Sequence, residues 1–329
     1  MRKLLLAGDI GGTKTNLAIY AAGSGGRLSM LREATFPSSH YDDLETIVGE
    51  FIGAGREHVR AAAFGVAGPV IEDRVKTTNL PWVVRSLSLA RLLGCPRVRL
   101  MNDLEATAYG GLFLNSKQIE WLARGKRRRA NIAVIAAGTG LGQAFLFWDG
   151  QRHHPVATEG GHVDFAPRND KEIALLVFLQ KRFARVSYER LLSGPGLVSI
   201  FHFFDEEVGR PVSASVRERL EHEDPAAVIG EAGVTGSCAA SVDAVETFVS
   251  IYGAQAGNLA LTVFGVGGVL LGGGIAIKML PKLKAPSFLE SFRDKGRYVD
   301  FMSQIPVGVM LDAKAALVGA AHAAAELAH

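Results

Sequence analysis

A chain of 329 residues exceeds the usual size of one hydrophobic core, so two domains with a cleft between them are expected. Lysine plus arginine number 36 against 33 for aspartate plus glutamate, a net charge of +3 that gives no ground for a nucleic-acid partner. Cys95 and Cys238 are too few for a disulfide framework or a four-cysteine metal site and suit a reduced, cytoplasmic protein.

Met1-Arg-Lys is followed by an apolar stretch too short for a secretory h-region, so no leader is expected. That stretch forms a strand, Lys3–Ala7, and runs into Asp9-Ile-Gly-Gly-Thr13, which joins a carboxylate to a glycine turn. Gly11 and Gly12 let the backbone bend and bring N–H donors close to an anion, while Asp9 suits a water of a hydrated magnesium ion. An ordinary hairpin uses the same residue types. Strands follow at Thr15–Ala21 and Leu28–Thr35, then a helix near Asp42–Ala54, a buried strand at Ala61–Val66, a helix at Leu87–Leu93 and a strand at Arg97–Met101. This last strand delivers Asn102 and Asp103 to the head of another helix. Asn102 with Glu105 reads as a capping box, and Asp103 sits at the carboxyl end of a strand, where α/β ligands bind and where it can take a proton from a substrate hydroxyl.

The dense basic run Arg124-Gly-Lys-Arg-Arg-Arg129 reads as a solvated loop before the strand at Asn131. The apolar run Ile132–Ala137 then enters Gly138-Thr139-Gly140-Leu141-Gly142 and leaves along Ala144–Trp148. It aligns without a gap on the first hairpin, Asp9 opposite Ala137 and Gly12 opposite Gly140, which suggests a duplicated architecture with a nucleotide between its halves. His153-His154 reads as exposed loop. Glu159-Gly160-Gly161-His162-Val163-Asp164 gathers two acids and an imidazole around a glycine pair, a set that suits the hydroxyls of a polyol. His162 and Asp164 alternate as on a strand, but zinc would need more ligands at suitable spacing.

A strongly apolar helix is expected around Lys171–Phe183. Glu189 falls in the first turn of a helix within Tyr188–Phe204, where the dipole favours an acid, and Gly194-Pro195-Gly196 would end that helix. Arg210–Gly236 is polar and poorly patterned. Thr247–Ile277 carries no formal charge and is long enough to cross a bilayer, but its glycines fit a buried helix (Ser241–Val263), a turn and a strand (Val269–Leu271), so no membrane partner is expected. Gly272-Gly273-Gly274 has the look of a phosphate or adenosine turn. A strand at Ile305–Leu311 and an alanine-rich helix at Ala313–Leu327 close the chain.

Taken in order, Gly8-Asp-Ile-Gly-Gly-Thr13, Thr78-Asn-Leu-Pro-Trp82, Asn102-Asp-Leu-Glu-Ala106, Ala137-Gly-Thr-Gly-Leu-Gly142, Glu159-Gly-Gly-His-Val-Asp-Phe-Ala-Pro167, Leu192-Ser-Gly-Pro-Gly196 and Gly272-Gly-Gly274 make the chain resemble the bacterial glucokinase family. That family lies in the hexokinase–actin–Hsp70 ATPase superfamily, and the likeness covers nearly the whole chain. The resemblance implies a two-domain, actin-like (ribonuclease H-like) α/β fold. Its small domain would be residues 1–112 with 305–329, and its large domain 113–304. It implies a homodimer that phosphorylates the 6-hydroxyl of D-glucose with ATP. Asp103 would be the general base, with Asn102, Asp103, Glu159, His162 and Glu189 on the sugar. Gly8, Asp9, Ile10, Gly11, Gly12, Thr13, Gly138, Thr139, Gly140 and Gly273 would line the nucleotide, and Asp9 would hold Mg2+ through water.

Overall fold

The computed structural model describes residues 3–53, 58–77 and 80–328. Ala54, the expected end of the first helix, and Thr78 and Asn79 of the Thr78–Trp82 motif lie outside the described residues. The chain divides into two compact units. One holds the residues through Lys117, His154–Ala157 and the segment from Asp312; the other holds Gln118–His153 and Thr158–Leu311.

The first unit is built on a five-stranded sheet in the order Leu28–Pro37, Lys14–Ala22, Lys3–Ile10, Val59–Val66, Val98–Asn102. The first three strands are antiparallel neighbours; Lys3–Ile10, Val59–Val66 and Val98–Asn102 run parallel. Side chains alternate between the faces of a strand. Leu6, Ile10, Leu17, Ile19, Phe64 and Val66 therefore share one face, where they form a core with Phe51, Trp82 and Leu89. The other face is lined by small residues such as Ala7, Ala18, Ala61 and Ala63, all fully buried. Small side chains there admit two closely packed helices, Asp103–Gly111 and Ala315–Leu327, whose Gly110 and Gly319 lie against each other's backbone. A small sheet of Val70–Ile71, Arg74–Lys76 and Val83–Arg85, which the sequence did not suggest, precedes the helix Ser86–Leu93.

The second unit repeats the central part of this plan. The strands Leu141–Trp148, Ile132–Ala137, Gly268–Gly272 and Val307–Met310 lie side by side, again a hairpin followed by parallel neighbours, with Ile119–Ala123 antiparallel beyond. The turns themselves are not copies, as a gapless alignment had implied. Ile10 pairs with Thr15 across four residues, whereas Ala137 pairs with Leu141 across three. The core here is formed by the 24-residue helix Ala239–Thr262, whose Phe248 and Tyr252 are buried with Phe288, Phe292 and the sheet residues Ile135 and Leu271. Thr247–Ile277 thus is the end of a buried helix, a turn, a strand and most of a further short helix, Gly273–Lys278, and no described helix is long and apolar enough to cross a membrane.

Several local expectations are corrected. Gly194-Pro195-Gly196 begins the helix Gly194–His202: Ser193 caps it through the Gly196 amide, and proline suits the first turn because its missing N–H would have no helical partner. Glu189 accordingly lies in a short 3-10 turn, Tyr188–Arg190. The polar stretch Arg210–Gly236 contains two helices, Ala214–Leu220 and Pro225–Thr235, the second capped by Asp224. His153 and His154 open a strand, His153–Thr158, and His162 closes a 3-10 turn, Gly160–His162, because Gly161 packs tightly on the Leu141 backbone.

Candidate active site

In the first unit, parallel register brings the ends of three strands level: Ile10 pairs with Val66, and Val66 with Asn102. Asp9 and its partner Gly65 therefore share the helix-covered face. A Cβ on Gly65 would come within 2.8 Å of the Ala106 Cβ, so only glycine lets the helix carrying Asp103 settle here, with the Asp103 Cα 3.6 Å from that position. Burial pushes the Asp9 carboxyl up in pKa, an effect only partly offset by the Asn16 amide that donates to it at 3.4 Å.

Asn102 is both a buried cap and a fixed point. Its Oδ1 accepts from the Leu104 and Glu105 amides, its Nδ2 donates to the Gly68 carbonyl at 3.1 Å, and Glu105 returns to the Asn102 amide. The capping box expected from sequence is present. Arg99 holds Glu105 at 2.8 Å, yet burial still raises the Glu105 pKa. The Asp103 carboxylate, half-buried in the first helical turn, accepts from the Leu104 amide at 2.9 Å.

The second unit gathers the remaining residues into two neighbouring groups. Around Gly160–His162, the His162 ring lies 3.9 Å from Glu159 Oε2 through Nε2 and 3.8 Å from Glu189 Oε1 through Nδ1. These separations are too long for hydrogen bonds, so the imidazole and both carboxylates keep polar capacity for a ligand. Arg185 fixes the turn by donating to the His162 carbonyl and pairing with Asp164 at 3.4 Å. Glu189 also reaches the glycine hairpin: its Oε2 accepts from the Leu141 amide at 3.0 Å.

The hairpin, in turn, borders a cavity of about 980 Å³. Gly138 and Thr139 form one edge, and Gly194, Ala226, Gly274 and Lys278 line other parts of it. Gly138 is tied to the helix Gly194–His202 through the Gly194 amide. Gly273, at φ +83°, lies against the Ala137 carbonyl, where a side chain would strike backbone, so the turn after Gly268–Gly272 can approach the hairpin only as glycine. The cavity wall from Pro225 to Gly230 was missed in the sequence; Asp224-Pro225, a cap followed by proline at the first helical position, was the available signal. Among the described residues no cluster of three or more His, Cys, Asp or Glu is poised to hold a metal.

The fold and these two groups of residues define a sugar-kinase architecture. The structure superposes on a glucokinase from an Antarctic psychrotroph with a TM-score of 0.86 at 29% identity, covering 99% of this chain and 100% of the other. It also superposes on a ROK family glucokinase from Streptomyces griseus in complex with glucose and AMPPNP, at TM-score 0.64 and 23% identity, covering 98% and 99%, a likeness of fold. The sequence model of glucokinase matches residues 6–327, and the glucokinase of Nostoc sp. is 40% identical over 98% of this chain and 99% of its own. The chain belongs to the glucokinase family.

Proposed function

We propose that this protein is a glucokinase that transfers the terminal phosphoryl group of ATP to the 6-hydroxyl of D-glucose. The observation that carries the reading is the Glu159–His162–Glu189 group adjoining the Gly138–Leu141 hairpin through the Glu189–Leu141 hydrogen bond. It sets polyol-binding groups beside a turn suited to phosphate. Relatives named glucokinase over nearly the full length support the same activity.

In this reading Glu159, His162 and Glu189 hold sugar hydroxyls, with Asn102 contributing its remaining amide hydrogen. Phosphoryl transfer asks a protein chiefly for alignment, a base and charge neutralisation. Asp103 is the base. Its carboxylate, held by the Leu104 amide, must be free of a proton to accept one from the 6-hydroxyl. Gly11, Gly12, Thr139 and Gly140 contact the phosphates, Gly8, Ile10 and Thr13 shape the first turn, and the cavity bounded by Gly138 and Gly273–Ile275 takes the adenosine.

Asp9 fits a hydrated Mg2+: a carboxylate whose burial is under-compensated by its single amide donor is stabilised by a nearby cation. When bound with ATP, the ion would neutralise phosphate charge. The actin-like superfamily fold, the cleft between two domains, the cytoplasmic location and the homodimer belong to the same proposal.

The test is a coupled assay with glucose and MgATP on the protein and on Asp103→Asn. The variant should bind glucose as before and lose on the order of 10² or more in turnover. Near-normal turnover would remove Asp103 as base, and no glucose phosphorylation by the unaltered chain would remove the whole reading.

A further inference from the structure

The basic run Arg124–Arg129 is an exposed loop ahead of the strand Ile132–Ala137, as its composition suggests. Five cations, Arg124, Lys126, Arg127, Arg128 and Arg129, are exposed within six residues, and none has a carboxylate partner among the described residues. The nearest acid on the preceding strand, Glu120, is already paired with Lys284 at 2.6 Å. Arg127 lies over the Trp121 ring at 5.9 Å, and Arg128 donates to the Gln304 side chain.

The loop is also held in place. Gly125, at φ +49°, packs on the Gln304–Pro306 backbone, and the Lys126 amide donates to the Gln304 carbonyl at 2.7 Å. At the other end, Asn131 binds the Val263 carbonyl at 2.8 Å and accepts from the Gly267 amide at 2.9 Å. These ties place the turn containing Phe264 next to the basic loop. Phe264 is 63% exposed and sits at φ +50°, a conformation bulky residues rarely adopt. Its ring stacks with Phe301, which meets the exposed Tyr298 edge-on, and the exposed Val299 lies beside them.

A run of exposed cations beside projecting aromatic and aliphatic side chains is a combination that suits an anionic lipid interface, where apolar tips insert and basic groups meet headgroups. Asp149 and Asp300 are the acids nearby; Asp149 is occupied by the Gln151 and Arg152 amides of its own turn. A single-stranded nucleic acid would use the cations and the rings but has no use for the aliphatic Val299. We propose that this face is a peripheral docking surface for anionic phospholipid membranes. It lies at the start of Ile132–Ala137, roughly 20 Å from the Gly138 turn at its other end, so membrane contact leaves the nucleotide cavity open. The net charge of +3 conceals this local excess.

The purified full-length protein is sedimented at low salt with vesicles of phosphatidylcholine alone and with vesicles containing about one third phosphatidylglycerol. Binding should be confined to the anionic vesicles and fall as salt rises. The combined Arg124→Ala, Lys126→Ala and Arg129→Ala change should lower partitioning on the order of 100-fold, about fivefold per charge. Phe264→Asn, which suits a positive φ, should weaken vesicle binding while leaving its salt dependence. Both variants should phosphorylate glucose normally, which certifies their folding. Equal binding to neutral vesicles, no binding at low salt, unchanged binding by the triple variant, or capture on polyuridylate RNA without vesicle binding would each overturn the proposal.

Discussion

Glu189 Oε2 accepts a hydrogen bond from the Leu141 amide at 3.0 Å, so one carboxylate belongs both to the glycine hairpin and to the group around His162. The contact depends on Gly140, where a Cβ would stand 2.6 Å from that same oxygen. Gly140→Ala should therefore displace Glu189 and act on both substrates. The expected result is a raised KM for glucose and for ATP. Glu189→Gln, which keeps an acceptor for Leu141, should raise the glucose KM with little change for ATP. Steady-state kinetics with each substrate varied would show this split; an effect of Gly140→Ala on ATP alone would break the proposed link.

Gly65 makes a similar demand in the first unit. Adding a methyl group there forces it against Ala106 in the helix that starts at Asp103. Overpacking of this kind costs about 1–3 kcal/mol. More telling is its effect on chemistry, because a shift of the helix moves the proposed base: Gly65→Ala should lower kcat several-fold while the glucose KM changes little. A variant that loses stability but retains full kcat would show that the position of Asp103 tolerates the shift.

Asp9 should be a residue whose charge opposes folding. Burial raises its folded-state pKa above the ordinary 3.8, so the native state holds the proton more tightly than the unfolded chain. At neutral pH, where both states are ionised, that difference is a cost to the native state. Asp9→Asn removes the charge and keeps an acceptor for Asn16, so the variant should melt a few degrees higher, at roughly 2–4 °C per kcal/mol recovered, while turnover with MgATP falls. Thermal unfolding without ligand is the measurement. A lower Tm would mean that the carboxylate is stabilised where it stands.

Much of this could be read from the residues because it depends on local chemistry. Strand ends at Asp9 and Ala137, the cap at Asn102 and the acid–imidazole segment at Glu159–His162 are each specified within a few positions. What could not be read depends on distant partners. Glu189 sits in a helix-like sequence context, and only the Leu141 amide, 48 positions away in the chain, explains its orientation. Pro195 flanked by glycines looks like a terminator until Ser193 is seen capping the helix that begins there. The charged residues of Arg210–Gly236 mask helices whose apolar contacts are few and scattered: Val216 in the first and Val228, Ile229 and Ala232 in the second are buried in the core. Gapless alignment of the two hairpins found the duplicated topology but missed the difference in turn length, since glycine spacing alone does not fix where strand pairing ends.

His322 gives the first unit an acid-sensitive point. Its ring stacks face to face on Phe113 with centroids 3.3 Å apart, and burial pushes its pKa down to about 4 despite the Glu326 carboxylate, which Tyr109 engages at 2.7 Å. An unfolded histidine titrates near 6.5. Between that value and about 4, the unfolded chain binds a proton that the native state refuses, so the stability present above pH 6.5 is progressively lost as pH falls toward 4. His322→Gln cannot titrate and should flatten this dependence. Melting temperatures of both proteins at pH 7.5 and 5 would test it: the unaltered chain should lose more between the two than the variant. Equal losses would place the acid sensitivity elsewhere, and a steeper loss in the variant would mean that the imidazolium is accommodated beside Glu326.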